Sequence, residues 1–438
     1  MTDTSDQQGP PPHHRGPWTD RVRFTGTDPN NRIAYRPGEV LTTGGDDARR
    51  IARELFRDVK NDRPDVDRFV HLTDVPEPIE LVQELRLHGH IAHPNHVFFA
   101  HCDCCGPHPS NPCAGETASP VYASPVYASP VYASPVYASP VYASAPHASS
   151  ARPAQAGAAT HAVQQADQTA KRSGAPTVIV LDTGMAETQF APSALADPAP
   201  MRAATATDVD APDENGDHLL DPAAGHGTFI AGLVGQVSPG CEVVVHRVLS
   251  TFGDGDEASI VHCLRNLGIS DPAHTILNLS FGGYVLEHPW ALARAIRQLQ
   301  SAGVVVVASA GNDGTCRPTF PAALPGVISV GAVGPNGPAP FTNYGSWVRA
   351  CAPGVDLLST FFDHFNGRGQ ASAGGSDPDK FAGWAIWSGT SFAAPVVVGA
   401  LARTMIEAGC TGREAVARVI DAPALLRING LGTVVNVI

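Results

Sequence analysis

Between Ala118 and Tyr142 the unit ASPVY runs five times without interruption. A proline at every fifth position withholds a backbone N–H at regular intervals, and its ring is incompatible with a helix interior or a central strand. No packed element can pass through such a stretch. Its surroundings share the character: residues 101–175 are dominated by Ala, Ser and Pro and show no apolar periodicity. The chain is therefore expected to comprise two folded units joined by a long linker.

Upstream of the linker, residues 1–29 are rich in Pro, Asp and Gly and read as a disordered tail. From residue 30 to residue 100 the pattern becomes regular. RIAYRPGEVLTT alternates as a strand does, and Ala48, Ile51, Ala52, Leu55, Phe56 and Val59 then follow the spacing of one helical face. Asp46 or Asp47 is the expected helix cap. A short strand RFVHL follows, then a second helix with Ile79, Val82 and Leu85 on one face and Gly89 as its stop, then a last strand IAHPNHVFF. Strand, helix, strand, helix, strand predicts a small α+β sandwich of the split βαβ, ferredoxin-like kind. His88, His90, His93 and His96 fall around the second helix exit and are expected at the surface, as are His13 and His14 in the tail.

Downstream, over residues 176–438, apolar runs (TVIVLD, EVVVHRVL, HTILNLS, VVVVASAGN, GVISVGAV) alternate with helical segments. Runs apolar on both faces between helices predict an α/β unit with a mainly parallel sheet flanked by helices. Three places in this unit combine into a nucleophilic constellation. Asp182 ends the strand in VIVLDTG, His226 opens an apolar helix in GHGTFIAGLV, and Ser391 opens another in SGTSFAAPVVVGAL. A serine hydroxyl is a weak nucleophile until a base takes its proton, and the base needs a carboxylate to hold its tautomer and its positive charge. A helix N-terminus at Ser391 offers free N–H groups where negative charge develops, and Asn312 in ASAGNDG is a candidate second donor.

The three phrases VLDTG, GHGTFIAG and SGTSFAAP, in the order Asp, His, Ser, resemble the signatures of the subtilisin-like serine proteases. ILNLSFGG, SAGNDG, FPAALPGVISVGAV and VRACAPGV extend the similarity over nearly all of residues 176–438. The resemblance implies a subtilisin-like fold and hydrolysis of peptide bonds through an acyl-enzyme, with Asp182, His226 and Ser391 as triad and Asn312 in the oxyanion hole. It also implies that Ser280, Phe281 and Gly282 pair with the substrate backbone. No cofactor and no catalytic metal is implied, while calcium is a stabilising ion in many members. YRPGEVLTT through HPNHVFF is similar to the propeptide domain of many subtilases. That similarity makes the chain's own N-terminal region an intramolecular inhibitor or substrate, beside polypeptide substrates as partners.

The remaining features bound these expectations. A net charge of −13 supplies nothing to neutralise phosphates, so neither nucleic acid nor an anionic membrane is an expected partner. The N-terminus has no basic region followed by an apolar run, and no apolar stretch of membrane-spanning length stands out, which predicts a soluble, cytoplasmic protein. The nine cysteines are an odd number, in keeping with a reducing compartment. Cys102, Cys104, Cys105 and Cys113 admit a zinc site, disulfides or free thiols, whereas Cys241, Cys263, Cys316, Cys351 and Cys410 are expected as small buried hydrophobes. Asp208, Asp210, Asp213, Glu214, Asp217 and Asp221 precede His226 as either an acidic surface loop or, through D-x-N-x-D, a calcium loop with His218 where glycine belongs. The segment FFDHFNGRGQASAGGSDPDKFAGWAIW before Ser391 is either a packed loop or a lid in which Phe365, Trp384 or Trp387 meets substrate. The repeats hold five of the eight tyrosines and form either a stiff spacer or an array of self-processing sites.

Overall fold

A computed structural model describes residues 21–25, 33–66, 68–100, 175–187, 201–286, 288–366, 370–372, 375–377 and 380–435. The repeats, most of the tail and Cys102, Cys104, Cys105 and Cys113 lie outside the described residues.

The N-terminal unit follows the expected element order: β1 (Arg23–Phe24), β2 (Ala34–Thr42), α1 (Gly45–Leu55), β3 (Val70–Leu72), α2 (Pro78–Leu87) and β4 (Ala92–Ala100). β2 lies between β3 and β4, antiparallel to both. The boundary placed at residue 30 falls inside the unit, because Arg23 and Phe24 pair with Tyr35 and Ala34. Helix α1 buries Ala48, Ile51 and Ala52, but its N-cap is Gly44 at φ 102° rather than an aspartate. Asp46 and Asp47 instead lie in the first turn, paired with Arg49 and Arg50, where the helix dipole favours negative charge. In α2 the buried positions are Pro78, Leu81, Val82 and Leu85. Gly89 at φ 84° ends that helix, a backbone state that glycine takes without a Cβ penalty.

The large unit comprises β5 (Thr177–Asp182), β6 (Met185–Ala186), β7 (Met201–Ala203), β8 (Val209–Asp210), α3 (His226–Val237), β9 (Glu242–Arg247), β10 (Asp254–Asp256), α4 (Glu257–Arg265), β11 (Thr275–Leu279) and β12 (Phe281–Gly282). It continues with α5 (Trp290–Ala302), β13 (Val305–Ser309), β14 (Ile328–Gly334), β15 (Gly337–Pro338), β16 (Ala350–Pro353), β17 (Leu357–Asn366), β18 (Gln370–Ser372), β19 (Gly375–Asp377), β20 (Lys380–Trp387), α6 (Thr390–Ala408), α7 (Gly412–Val419), β21 (Arg427–Ile428) and β22 (Gly432–Val434). The main sheet runs β22-β16-β14-β13-β11-β5-β9-β7 with parallel pairing throughout, and short β21 and β15 add antiparallel partners. Strands β5, β11 and β13 are buried almost without interruption, as a parallel sheet covered on both faces requires. Helix α6 is 19 residues long and apolar enough to cross a membrane by length and composition, contrary to expectation. It is instead a buried core helix, with Phe392, Val396, Val397 and Leu401 fully enclosed.

The segment before Ser391 is an antiparallel hairpin of β17 and β20, with β18 and β19 paired at its far end. Ser359 Oγ and Thr360 Oγ1 donate to the carbonyls of Phe229 and Thr228 on α3, which packs the hairpin on the helix that carries His226. Cys241, Cys351 and Cys410 are buried as expected, Cys263 is half-buried, and Cys316 is exposed, contrary to expectation.

Candidate active site

Asp182 is the last residue of β5, in the middle of the sheet, where parallel strands end at a crevice. His226 is the first residue of α3 and Ser391 the second of α6. The glycines beside His226 are demanded by close packing. A Cβ on Gly225 would stand 2.2 Å from Phe361, and one on Gly227 would stand 2.3 Å from the Gly184 carbonyl. Asp182, His226 and Ser391 are all fully buried.

His226 Nδ1–H donates to Asp182 Oδ1 at 2.7 Å, and the Thr183 backbone N–H donates to the same oxygen at 2.8 Å. This bond leaves Nε2 as the imidazole's acceptor, and Nε2 is sealed from solvent with no hydrogen-bond partner. The ring is held edge-on to Trp387 with centroids 5.5 Å apart, and tilted on Phe392 at 5.2 Å. Trp387 is 1% exposed. It is thus a wall of the imidazole site inside the protein, whereas Phe365 and Trp384 are half-buried farther along the hairpin.

Ser391 Oγ donates to the Ser280 backbone carbonyl at 2.9 Å, and Ser280 Oγ returns a bond to the Ser391 carbonyl at 2.8 Å. The Ser391 hydroxyl is thus engaged with the Ser280 carbonyl and not with His226 Nε2. Asn312 Oδ1 accepts from the Thr390 N–H at 3.0 Å and from the Thr390 hydroxyl at 2.8 Å, which presents Nδ2 as its donor beside the start of α6.

Phe281 and Gly282 form β12, and β4 of the N-terminal unit is paired with it. Phe281 lies opposite Ala100 and Gly282 opposite Phe99, antiparallel. The other edge of β4 pairs antiparallel with β10, Asp254 opposite Phe99 and Asp256 opposite Val97, and the Ala100 N–H donates to the Gly253 carbonyl at 2.8 Å. One strand of the N-terminal unit thus fills the gap between two edges of the large unit, close to Ser280 and Ser391. Phe98 is fully buried against Phe281, with centroids 6.4 Å apart.

One sequence expectation is overturned by this docking. His93 and His96 are not surface residues but fully buried at the seam. A spacing of three puts side chains on opposite faces of a regular strand, yet the β2–β4 ladder changes register between Tyr35 and Val40 and the two rings stack 5.1 Å apart. His96 Nδ1 lies 2.8 Å and His93 Nδ1 3.6 Å from Glu257 Oε2. Among the described residues these three are the set close enough to share a metal ion. Their Nδ1 atoms are engaged in hydrogen bonds, His96 with Glu257 and His93 with the Pro94 carbonyl, and both Nε2 atoms are sealed without a partner.

A second correction concerns the acidic run before His226, which divides. Asp213, Asn215 and Asp217 form an exposed loop in which Asp213 accepts from the backbone N–H of Gly216, Asp217 and His218. His218 adopts φ 66°, the left-handed state for which glycine is favoured. Asp221 is buried by contrast, and burial pushes its pKa up to about 6. Asp210 is fully buried beside the site rather than on the surface.

A family profile described as "Subtilase family" matches residues 173–422, more than half of the chain. Among curated proteins, the chain is 31% identical over 222 residues to a thermophilic serine proteinase of Bacillus sp. (strain AK1), covering 48% of this chain and 48% of that one. It is 33% identical over 189 residues to subtilisin Savinase of Lederbergia lenta, covering 41% of this chain and 62% of that one. The chain spans about half the length of the first of these relatives. A solved structure of a cold adapted subtilisin-like serine proteinase aligns at a TM-score of 0.46 and 24% identity, covering 60% of this chain and 88% of that one. The profile match takes in the ends of β5, α3 and α6 where Asp182, His226 and Ser391 sit, and on that match the chain belongs to the subtilase family.

Proposed function

We propose that the chain is a serine endopeptidase that hydrolyses peptide bonds through an acyl-enzyme. The observation that carries this is the His226–Asp182 bond at 2.7 Å, which leaves an unpartnered, desolvated Nε2 as the only basic nitrogen of the ring. In the reaction Ser391 rotates from the Ser280 carbonyl, its proton passes to His226 Nε2, and Oγ attacks the substrate carbonyl carbon. Asp182 stabilises the imidazolium, and the start of α6 with Asn312 Nδ2 receives the oxyanion. His226 then protonates the leaving amine, and water repeats the sequence on the ester. Replacing Ser391 by Ala is expected to remove casein hydrolysis and fluorophosphonate labelling while leaving the thermal transition in place. Wild-type rates in Ser391→Ala would sink the proposal.

The N-terminal unit is, on this proposal, the chain's own inhibitor and first substrate. Its support is the register of β4, which lies antiparallel between β10 and β12 as a bound substrate strand would. A substrate strand continuing in that register brings its next residue opposite Ser280, so the first self-cleavage falls within a residue or two after Ala100. Calcium belongs to this proposal as a stabilising ion only. Asp213, Asn215 and Asp217, at alternate positions of the turn closed by His218, are the residues that would hold it.

A further inference from the structure

Asp210 has no role in the reaction as written, yet its carboxyl group is joined to both sides of it. It ends β8, which pairs in parallel with β6 just beyond Asp182, and it is fully buried. Oδ2 accepts the Thr183 hydroxyl at 2.5 Å and the Gly225 N–H at 2.9 Å. The Thr183 hydroxyl oxygen in turn accepts the Gly227 N–H at 3.0 Å. One carboxyl oxygen therefore reaches both neighbours of His226 and, through Thr183, the residue that follows Asp182. Thr183 also gives its own N–H to Asp182 Oδ1, the oxygen that holds the imidazole.

We infer that Asp210 is a positioning residue for the reaction: through Thr183 and Gly225 it locks the strand end that carries Asp182 to the helix start that carries His226. The inference rests on the proposed peptidase activity. Distances of this kind matter because a misplacement of about 1 Å in a catalytic constellation costs on the order of a hundredfold in rate.

Oδ1 of Asp210 is sealed and unpartnered, and the Arg247 guanidinium is directed to Glu214 and to the carbonyls of Val209 and Leu249. Burial pushes the Asp210 pKa well above the usual carboxylate range, against the lowering effect of its bonds from Thr183 and Gly225. Asparagine keeps a side-chain oxygen that can accept both bonds, whereas alanine removes them.

The test compares the full-length wild type, Asp210→Ala and Asp210→Asn, with kcat expressed per active site titrated by a fluorophosphonate. Asp210→Ala is expected to lose roughly ten- to a hundredfold in kcat per titrated site with KM within about twofold, and Asp210→Asn to recover to within about threefold. Wild-type kcat per titrated site in Asp210→Ala would overturn the inference, since a purely structural role lowers the number of sites and not their rate. So would an Asp210→Asn variant as slow as Asp210→Ala. If Asp210→Ala does not fold, Thr183→Val breaks the same link and is expected to show the same deficit; wild-type kcat there overturns the inference equally. A wild type that neither cleaves peptides nor takes the probe removes the peptidase proposal itself.

Discussion

The two folded units are held together internally by the same means and joined to each other by different ones. The N-terminal unit packs its own small core from Val40, Ile51, Val70, Leu72, Leu81 and Leu85. The large unit has a far larger one, and Leu41, Val66, Phe69, Phe98 and Ala100 of the N-terminal unit are part of it. Around those apolar residues the seam is polar: Arg36 reaches Asp254 at 2.8 Å, Asn95 Nδ2 reaches Asp256 at 3.2 Å, and His96 reaches Glu257 at 2.8 Å. Inside each unit the core is built chiefly from apolar side chains. At the seam, sheet pairing and buried apolar side chains such as Phe98 supply attraction, while titratable groups make that attraction conditional.

Breaking the apolar part should have the largest effect. Phe98 lies in the large unit's core rather than in that of its own unit, so Phe98→Ala weakens docking more than it weakens the N-terminal fold. Truncating a buried phenylalanine costs about 3–5 kcal/mol, and even the lower end loosens docking on the order of a hundredfold. The rate of fluorophosphonate labelling of Ser391 in the full-length chain should rise accordingly. An unchanged rate would show that β4 does not govern access to the site.

A smaller effect should come from acid. His93 is fully buried, and burial pushes its pKa down; Glu257 and His96 face it, Arg86 lies nearby, and Glu257 already accepts a bond from His96. The docked unit thus keeps His93 neutral, while the released unit takes up a proton in the ordinary imidazole range near pH ~6.5. Docking is at full strength above that range and weakens as pH falls through it, by up to about tenfold per pH unit. His93→Gln should flatten the pH dependence of the labelling rate between about pH 7 and 5; a dependence unchanged in that variant would assign it elsewhere.

The smallest effect should be confined to the large unit. If calcium occupies the Asp213–Asp217 turn, chelation should lower the large unit's thermal transition by a few degrees, the size of shift about 1 kcal/mol produces in a domain of this length. Asp213→Ala should abolish that response, and a wild-type melt unaffected by chelator would remove calcium from the account.

Much of the site was legible because each participant sits in a short segment whose local demands show in the letters. VLDTG, GHGTFIAG and SGTSFAAP each join a strand end or a helix start to glycines that tight packing requires, as Gly225 and Gly227 illustrate. Less legible were positions whose surroundings come from far along the chain. His93 and His96 read as surface histidines because their cover, Glu257 and its neighbours, lies 161 residues beyond His96. Asp210 read as one more acidic loop residue, although of the acidic residues in DVDAPDENGD it is the buried one, where it meets Thr183 and Gly225. Trp387 was one of three aromatic candidates for substrate contact, and only the packing of the hairpin on α3 turned it toward the imidazole.

By itself the sequence determined which side chains are candidates for the chemistry, the order in which they occur, and where the proline-spaced ASPVY repeats fall between the two regular regions. Those are properties of composition and of short segments, where propensity and spacing act directly. Tertiary structure decided what covers what: that β4 fills the gap between β10 and β12, that Ser391 rests on the Ser280 carbonyl, that two histidines lose water at the seam, and that Asp210 ties strand to helix. Burial depends on which distant surface arrives opposite a residue, and periodicity along the chain records only the face on which that residue stands.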